Sequence, residues 1–250
     1  MLARRLQGLL ALGDRDLQRD DAVGAFFRAT ADAFVALGLR DAGYRHLQID
    51  DCWMTAARGA RGEQLVDASK FPDGMSNLTA HLRGAGFKAG IYTATGNRTC
   101  AERAGSCGAF GVDTAQYAAW GFEYLKVDSC GGCSGGPMAD TAALHAGLDN
   151  ATAAGRGQPF WLLVHPSTNV SAVSADPARY GNSRIPGRDM FESWTSLVAA
   201  VDGAAGLWRY AHNDTAASGA SRTSSMCWSE WATSRQTSIE SGASSTCARS

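Results

Sequence analysis

The stretch Tyr124-Leu-Lys-Val-Asp-Ser-Cys130 decides the fold, because it is typical of a short strand that ends in reactive side chains. Apolar and charged residues alternate in it as far as Asp128, which is the two-residue period of a β-strand. The glycine-rich segment 131–136 then turns the chain. α/β enzymes present catalytic carboxylates in this way, at the C-terminal end of a strand and just before a loop. The pattern makes Asp128 a candidate nucleophile.

Helical and strand patterns alternate on both sides of this stretch. One unit takes roughly 35–40 residues, which is typical of a parallel sheet with crossover helices. The predicted helices are 21–38, 75–85, 112–121 and 139–154, and the predicted strands are 44–49, 88–92, 124–128 and 159–165. The segment between the first strand and about Pro72 is predicted to be a loop.

This spacing fits two α/β architectures, a (β/α)8 barrel and a doubly wound sheet. Segment 131–136 lacks the Lys-Ser/Thr pair of a nucleotide-binding loop and the spacing of a dinucleotide fingerprint. The strand ends carry carboxylates instead. The sequence therefore favours a (β/α)8 barrel over residues 21–215, acting without a cofactor.

Composition excludes several classes of function. The 250 residues carry a net charge of −1, so neither nucleic acid nor an anionic membrane is a predicted partner. Five of the six asparagines lie in Asn-X-Ser/Thr sequons. We therefore expect a protein of the secretory pathway, secreted or in a lysosome or vacuole, where disulfides persist.

The two ends differ from the rest of the chain. Segment 1–20 has two arginines followed by leucines, but polar residues interrupt the apolar run, and a signal peptide is not evident. Segment 216–250 is serine-rich, with 15 Ser or Thr in residues 218–250. We expect this tail to be disordered or encoded out of frame.

Several polar residues follow strands and would meet at one rim of a barrel, where active sites lie. Paired carboxylates at such a rim, without a metal-binding histidine pair, suit hydrolysis of a glycosidic bond. The residues in question are Asp50, Asp51, Tyr92, Lys126, Asp128 and Asp189.

A set of motifs resembles glycoside hydrolase family 27, the family of α-galactosidases and α-N-acetylgalactosaminidases. They come in the order and spacing of that family, and the resemblance is strong from about residue 38 to 130. The motifs are Asp41-Ala-Gly-Tyr44, Ile49-Asp-Asp-Cys-Trp53, Phe71-Pro-Asp-Gly74, Gly90-Ile-Tyr92, Thr99-Cys100, Trp120-Gly121 and the opening stretch.

The resemblance implies roles for the rim residues. Asp128 would be the nucleophile of a retaining mechanism, and Lys126 would donate to ring hydroxyls and keep Asp128 ionised. A structural salt bridge between the two is the alternative. Asp50 and Asp51 would bind sugar hydroxyls or, alternatively, cap a turn. Tyr92 would line the pocket or belong to the core.

The general acid is expected from a later strand. Segment 184–194 resembles the family's Arg, Asp, Trp pattern, which makes Asp189 the acid/base unless it is a surface-loop residue. Arg184 would contact the sugar, but its spacing to Asp189 is one residue longer than usual. Arg188 is the alternative for that contact.

The cysteines add a further expectation. By the resemblance, Cys100 and Cys130 form a disulfide beside the nucleophile. Cys107 and Cys133 are additional here, and they form either a second bridge or, with the first pair, a zinc site. The spacing favours the bridge, so no metal is predicted.

The chain departs from the family pattern at several places. Segment 1–20 has no tryptophan, although a first-strand tryptophan motif is expected, and His165-Pro166 replaces the usual sugar-reading acid. The last barrel units are missing. Shifted by one nucleotide, codons 225–232 can encode a sequence close to one missing motif, which indicates a frameshift after about residue 214.

These observations predict a retaining hydrolase that releases terminal α-linked galactose, with carbohydrate as its partner. The same-family alternatives are an α-N-acetylgalactosaminidase and a β-L-arabinopyranosidase. A catalytically inactive remnant is the alternative from another class, because a barrel without its terminal strands leaves edges unpaired. The sequence does not predict an oligomeric state.

Overall fold

The structure, a computed structural model, describes residues 23–165, 170–181, 183–185 and 193–205. Strands and helices alternate along them. The strands are β1 (His46–Gln48), β2 (Met54–Arg58), β3 (Gln64–Val66), β4 (Lys88–Ala94), β5 (Tyr124–Asp128), β6 (Trp161–Val164) and β7 (Ser183–Arg184). The helices are α1 (Val23–Ala36), α2 (Met75–Gly84), α3 (Phe110–Trp120), α4 (Gly136–Ala153), α5 (Val170–Ala175), α6 (Pro177–Tyr180) and α7 (Trp194–Ala205).

The order of the strands distinguishes the two architectures that the sequence left open. Five strands form one sheet in the order β1-β4-β5-β6-β7, and all four pairings are parallel. The strands of this sheet lie side by side in the same order as they follow one another along the chain, with no reversal. A doubly wound sheet reverses its order at a switch point, whereas a (β/α)8 barrel does not. The prediction of an incomplete (β/α)8 barrel is confirmed.

Helices cover one face of this sheet, and the hydrophobic core lies between the two layers. Leu125 and Val127 project from β5 into this core because successive strand residues point to opposite faces. The aromatic side chains Phe27 and Phe34 of α1 and the leucines of α2 and α4 complete it. The period-two and helical patterns of the sequence arise from this layering.

Predicted and observed elements agree within a few residues. Strand β5 has the predicted bounds, and β4 extends two residues beyond its prediction, to Ala94. Helix α3 ends at Gly121, which has a φ of 87° and provides the left-handed C-cap. No described helix is long and apolar enough to cross a membrane. Segments 1–20 and 216–250, for which the sequence predicts a distinct character, lie outside the described residues.

The predicted loop before Pro72 is wrong, since β2 and β3 form an antiparallel hairpin there. Four of the five β2 residues are exposed or half-exposed in a pattern without alternation, so the segment carries no strand signal in its sequence. Tertiary contacts stabilise the hairpin instead. Arg58 donates to both carboxylate oxygens of the fully buried Asp113 of α3, at 2.8 and 2.6 Å.

His46 of β1 faces the Tyr124 ring, with 5.7 Å between ring centroids. Burial, with a smaller contribution from the charge of Lys88, lowers the pKa of His46 from 6.5 to about 4. The unfolded chain therefore binds a proton on this side chain at pH values where the folded chain does not. This difference makes the free energy of unfolding fall as pH falls from about 6.5 to 4.

We predict that His46→Gln removes this part of the pH dependence. Its contribution across that interval is roughly 3 kcal/mol, because one pKa unit corresponds to about 1.4 kcal/mol. Urea unfolding at pH 7 and pH 4.5 measures it. The variant should lose less stability than the parent between the two pH values. Equal losses would contradict the argument.

Candidate active site

Polar side chains meet at the C-terminal end of the sheet, where the strand register places those of β4 and β5 side by side. Tyr92 of β4 pairs with Lys126 of β5, and Ala94 pairs with Asp128. Asp50 comes two residues after the end of β1, and His165 directly follows β6. Parallel strands end at the same edge, so four strands contribute polar side chains to one small region.

Lys126 and Asp50 form the central ion pair of this region. Their Nζ and Oδ2 atoms lie 2.8 Å apart, and the side chains are only 6% and 15% exposed. The ammonium also lies 5.5 Å from the centroid of the Tyr92 ring. A buried charge is costly without a partner, and here the carboxylate and the ring face compensate it.

The sequence predicts that Lys126 keeps Asp128 ionised, because the two are separated by one residue, and this stays a prediction. The structure shows an ion pair of Lys126 with Asp50, and it places Nδ1 of His165 2.9 Å from Oδ1 of Asp128. Sequence reasoning noticed His165 only as a departure from the family pattern. Its place directly after β6, the neighbour of β5, was the signal that could have identified it.

Tyr92 belongs to the core and also lies near Asp128 and Lys126, while its place in a sugar pocket stays a prediction. The residue is 1% exposed, and its hydroxyl donates to Sγ of Cys100 at 3.2 Å. Burial and the neighbouring carboxylates, Asp128 first among them, raise the pKa of Tyr92 well above its ordinary value. The phenol therefore stays protonated and is a permanent hydrogen-bond donor beside Asp128.

Asp51 differs from Asp50 in what it binds. Its Oδ1 accepts from the Cys52 amide at 2.7 Å and its Oδ2 from the Ala101 amide at 3.0 Å. Burial is the largest cause that raises the pKa of Asp51, and these amides act against it. The strand has ended and the chain turns here, with Cys52 at a φ of 72°. Asp51 thus caps this turn and fixes the loop that carries Cys100; a sugar contact from it stays a prediction.

Two disulfides fasten the loops next to Asp128. The expected Cys100–Cys130 bridge is confirmed, and Cys107–Cys133 forms the second bridge. Since these four sulfurs are bonded in pairs, the zinc alternative is wrong. Cys52 is disulfide-bonded as well. Among the described residues no group of His, Cys, Asp or Glu side chains could hold a metal ion.

The remaining predicted site residues are not brought to this region by the described structure. Asp189 and Arg188 lie outside the described residues. Arg184 is the last residue of β7 and pairs with Val164, while Ser183 pairs with Leu163. Because Leu163 shares the face of Lys126, the register places Arg184 on the opposite face. Its contact to the sugar stays a prediction.

Gly96 is a site residue that sequence reasoning missed. A Cβ atom added there would lie 1.9 Å from the carbonyl oxygen of Cys130 and 2.5 Å from the carbonyl carbon of Gly131. The loop after β4 therefore contacts the backbone that follows Asp128, and only glycine permits this approach. The sequence feature that could have identified Gly96 is its position two residues after the end of β4, where a glycine often marks a close backbone approach.

We predict that Gly96→Ala destabilises the fold by about 3 kcal/mol or more, since backbone must move to relieve the overlap. Gly111→Ala in helix α3 is the matched control, because a Cβ atom added at Gly111 meets nothing within 4 Å. It should be neutral or stabilising by up to about 1 kcal/mol. Urea midpoints of both variants provide the comparison. A Gly96→Ala midpoint equal to the control's would refute the close approach.

Comparisons with known proteins agree with this architecture. Residues 14–226 match the sequence profile of the family Melibiase_2, described as Alpha galactosidase A. The chain is 41% identical over 104 residues to Alpha-galactosidase A of Homo sapiens, covering 42% of this chain and 24% of that protein. It is 32% identical over 176 residues to Alpha-galactosidase 2 of Arabidopsis thaliana, covering 70% and 43% respectively.

Solved structures give the same result. The α-galactosidase of Saccharomyces cerevisiae, solved with raffinose, superposes with a TM-score of 0.62 at 26% identity, over 70% of this chain and 38% of that one. The α-galactosidase I of Mortierella vinacea gives 0.60 at 29% identity, over 67% and 42%. The chain spans less than half the length of each of these four proteins. Since the profile matches most of its residues, the chain belongs to the alpha galactosidase A family.

Proposed function

We propose that this chain carries the active site of a retaining glycoside hydrolase that releases terminal α-linked galactose. One observation supports it most: the Asp128 carboxylate lies at the end of β5, beside the Lys126–Asp50 pair and the Tyr92 hydroxyl. This is a partly buried nucleophile with fixed donors around it. The named functions of the relatives give the substrate class.

The proposed reaction has two steps. Asp128 attacks the anomeric carbon while the general acid protonates the departing glycosidic oxygen, which forms a glycosyl–aspartyl ester and releases the aglycone. A water molecule then attacks the same carbon. The former acid now removes the proton of this water, the ester bond breaks, and galactose leaves with its anomeric configuration retained. We assign the acid/base role to Asp189 from the sequence motif.

The ion pair of Lys126 and Asp50 suits recognition of a sugar. Asp50 accepts hydrogen bonds and Lys126 donates them, so the pair can bind two neighbouring hydroxyl groups of a pyranose. The low exposure of both side chains strengthens such bonds, because little water competes for them. Their fixed geometry at 2.8 Å requires no ordering when the sugar binds.

The proposed location is the secretory pathway, in a secreted, lysosomal or vacuolar form. Two intact disulfides support it, since such bonds persist in oxidising compartments. The sequons at Asn77 and Asn150 also support it, because both asparagines are exposed on helices α2 and α4 and are accessible for glycosylation.

We predict that Asp128→Asn lowers kcat on an aryl α-galactoside by about 10³-fold or more, since an amide cannot form the ester intermediate. Asp149→Asn, an exposed change on α4, is the control and should leave kcat unchanged. Thermal melts of all three proteins verify folding. Turnover that survives in Asp128→Asn would overturn the assignment.

A panel of aryl glycosides separates the alternatives. Preferential turnover of the α-N-acetylgalactosaminide or the β-L-arabinopyranoside would replace the galactose assignment. A folded parent chain that turns over none of the three would instead identify an inactive remnant.

A further inference from the structure

The contact between Asp128 and His165 is not explained by the proposed reaction itself. Nδ1 of His165 lies 2.9 Å from Oδ1 of Asp128, which is hydrogen-bonding distance. The two side chains are 18% and 15% exposed, so water reaches both only in part. The contact involves one oxygen of the carboxylate that is the proposed nucleophile.

Backbone hydrogen bonds fix His165 relative to Asp128. The His165 amide donates to the Val127 carbonyl at 2.9 Å, which continues the β5–β6 ladder past the end of β6. The Ser129 hydroxyl contacts the His165 carbonyl at 3.5 Å. The imidazole is therefore attached to the same rigid strand pair that carries the nucleophile.

Among the described residues, the other groups that share this face of the sheet differ from the imidazole in charge and in partner. From β5, Lys126 shares this face, but its ammonium is paired with Asp50 from the end of β1. From β4, Tyr92 contributes a neutral phenol, because its pKa is raised. From β7, the residue in register on this face is Ser183, which does not titrate.

We propose that His165 is a positioning residue for the nucleophile: its Nδ1–H donates to Oδ1 of Asp128, orients the carboxylate for attack, and does so best when the imidazole is neutral. This inference rests on the proposed function. In this proposal His165 contacts the carboxylate of Asp128 and not the sugar.

The preference for the neutral imidazole follows from the change in charge during the first step. Asp128 begins as an anion and ends as a neutral ester. An imidazolium stabilises the anion more than the transition state, in which that charge is already partly lost, so its presence raises the barrier. A neutral Nδ1–H keeps the hydrogen bond to Oδ1, which becomes the carbonyl oxygen of the ester, without that penalty.

Two substitutions separate positioning from packing. His165→Asn places an amide N–H close to the position of Nδ1 but cannot titrate, and His165→Leu has comparable bulk and no donor. At pH 7.5 we expect the Asn variant to retain kcat within about tenfold of the parent. The Leu variant should lose about 100-fold in kcat with KM changed by less than about threefold, as expected for a misplaced reacting group.

The pH profile of kcat/KM on the aryl α-galactoside gives a second readout. An ordinary imidazole gains a proton as pH falls from 7.5 to 5, whereas the side chain of the Asn variant has no titratable group. The ratio of variant to parent activity should therefore rise by about tenfold over this range. A constant ratio, equal losses in Asn and Leu variants, or an effect on KM alone would overturn the proposal.

A measurement that does not depend on turnover tests the His165–Asp128 contact separately from the proposed galactosidase activity. The imidazole signal of His165 is followed by NMR against pH in the parent and in Asp128→Asn, and is assigned by its absence in His165→Asn. The midpoint should move to lower pH in Asp128→Asn, because the carboxylate stabilises the imidazolium. An unmoved midpoint refutes the contact. A moved midpoint in a folded chain without galactosidase activity refutes the proposed function alone.

Discussion

The site depends on the burial of one cation. Lys126 projects from the middle of the sheet, where the residue is only 5% exposed and the charge of its ammonium group must be compensated. Asp50 provides that compensation from the end of β1, across the intervening strand β4. This constraint couples β1, the first described strand, to β5, which carries the proposed nucleophile. It also fixes the position of Asp50, the residue proposed to bind a sugar hydroxyl.

The pair also explains why the neighbouring residues have their particular roles. Tyr92, in register with Lys126, covers the ammonium with its ring and presents its hydroxyl to the carboxylates. Asp51, one residue further, points into the loop and binds backbone amides instead. The two adjacent aspartates thus have different partners, because the chain has already left β1 and turns at Cys52.

Strand alternation could be predicted because it depends on local sequence alone. The alternation around Lys126 identified β5 with its bounds, and the carboxylates at the strand ends identified the rim. The partner of Lys126 could not be predicted in this way, because the Asp50 contact spans 76 residues and depends on how β1 and β4 pair. The β2–β3 hairpin was missed for the same reason, since Arg58 and Asp113 stabilise it across 55 residues.

The family resemblance supplied what local patterns did not, and it also had limits. It predicted the Cys100–Cys130 bridge, which the structure contains, and the retaining mechanism proposed for Asp128. It gave no role for His165, where this chain departs from the family. The register of β5 and β6 shows that this departure places an imidazole next to the Asp128 carboxylate.

The central claim is that the Asp128 carboxylate forms a covalent bond with the sugar. Trapping tests it most directly: the chain is incubated with a fluorinated α-galactosyl fluoride whose glycosyl–enzyme ester hydrolyses slowly, then digested, and the labelled peptide is sequenced by mass spectrometry. The account predicts one added sugar mass per chain, on Asp128, and none in Asp128→Asn. A label on Asp50 or on any other carboxylate would contradict it.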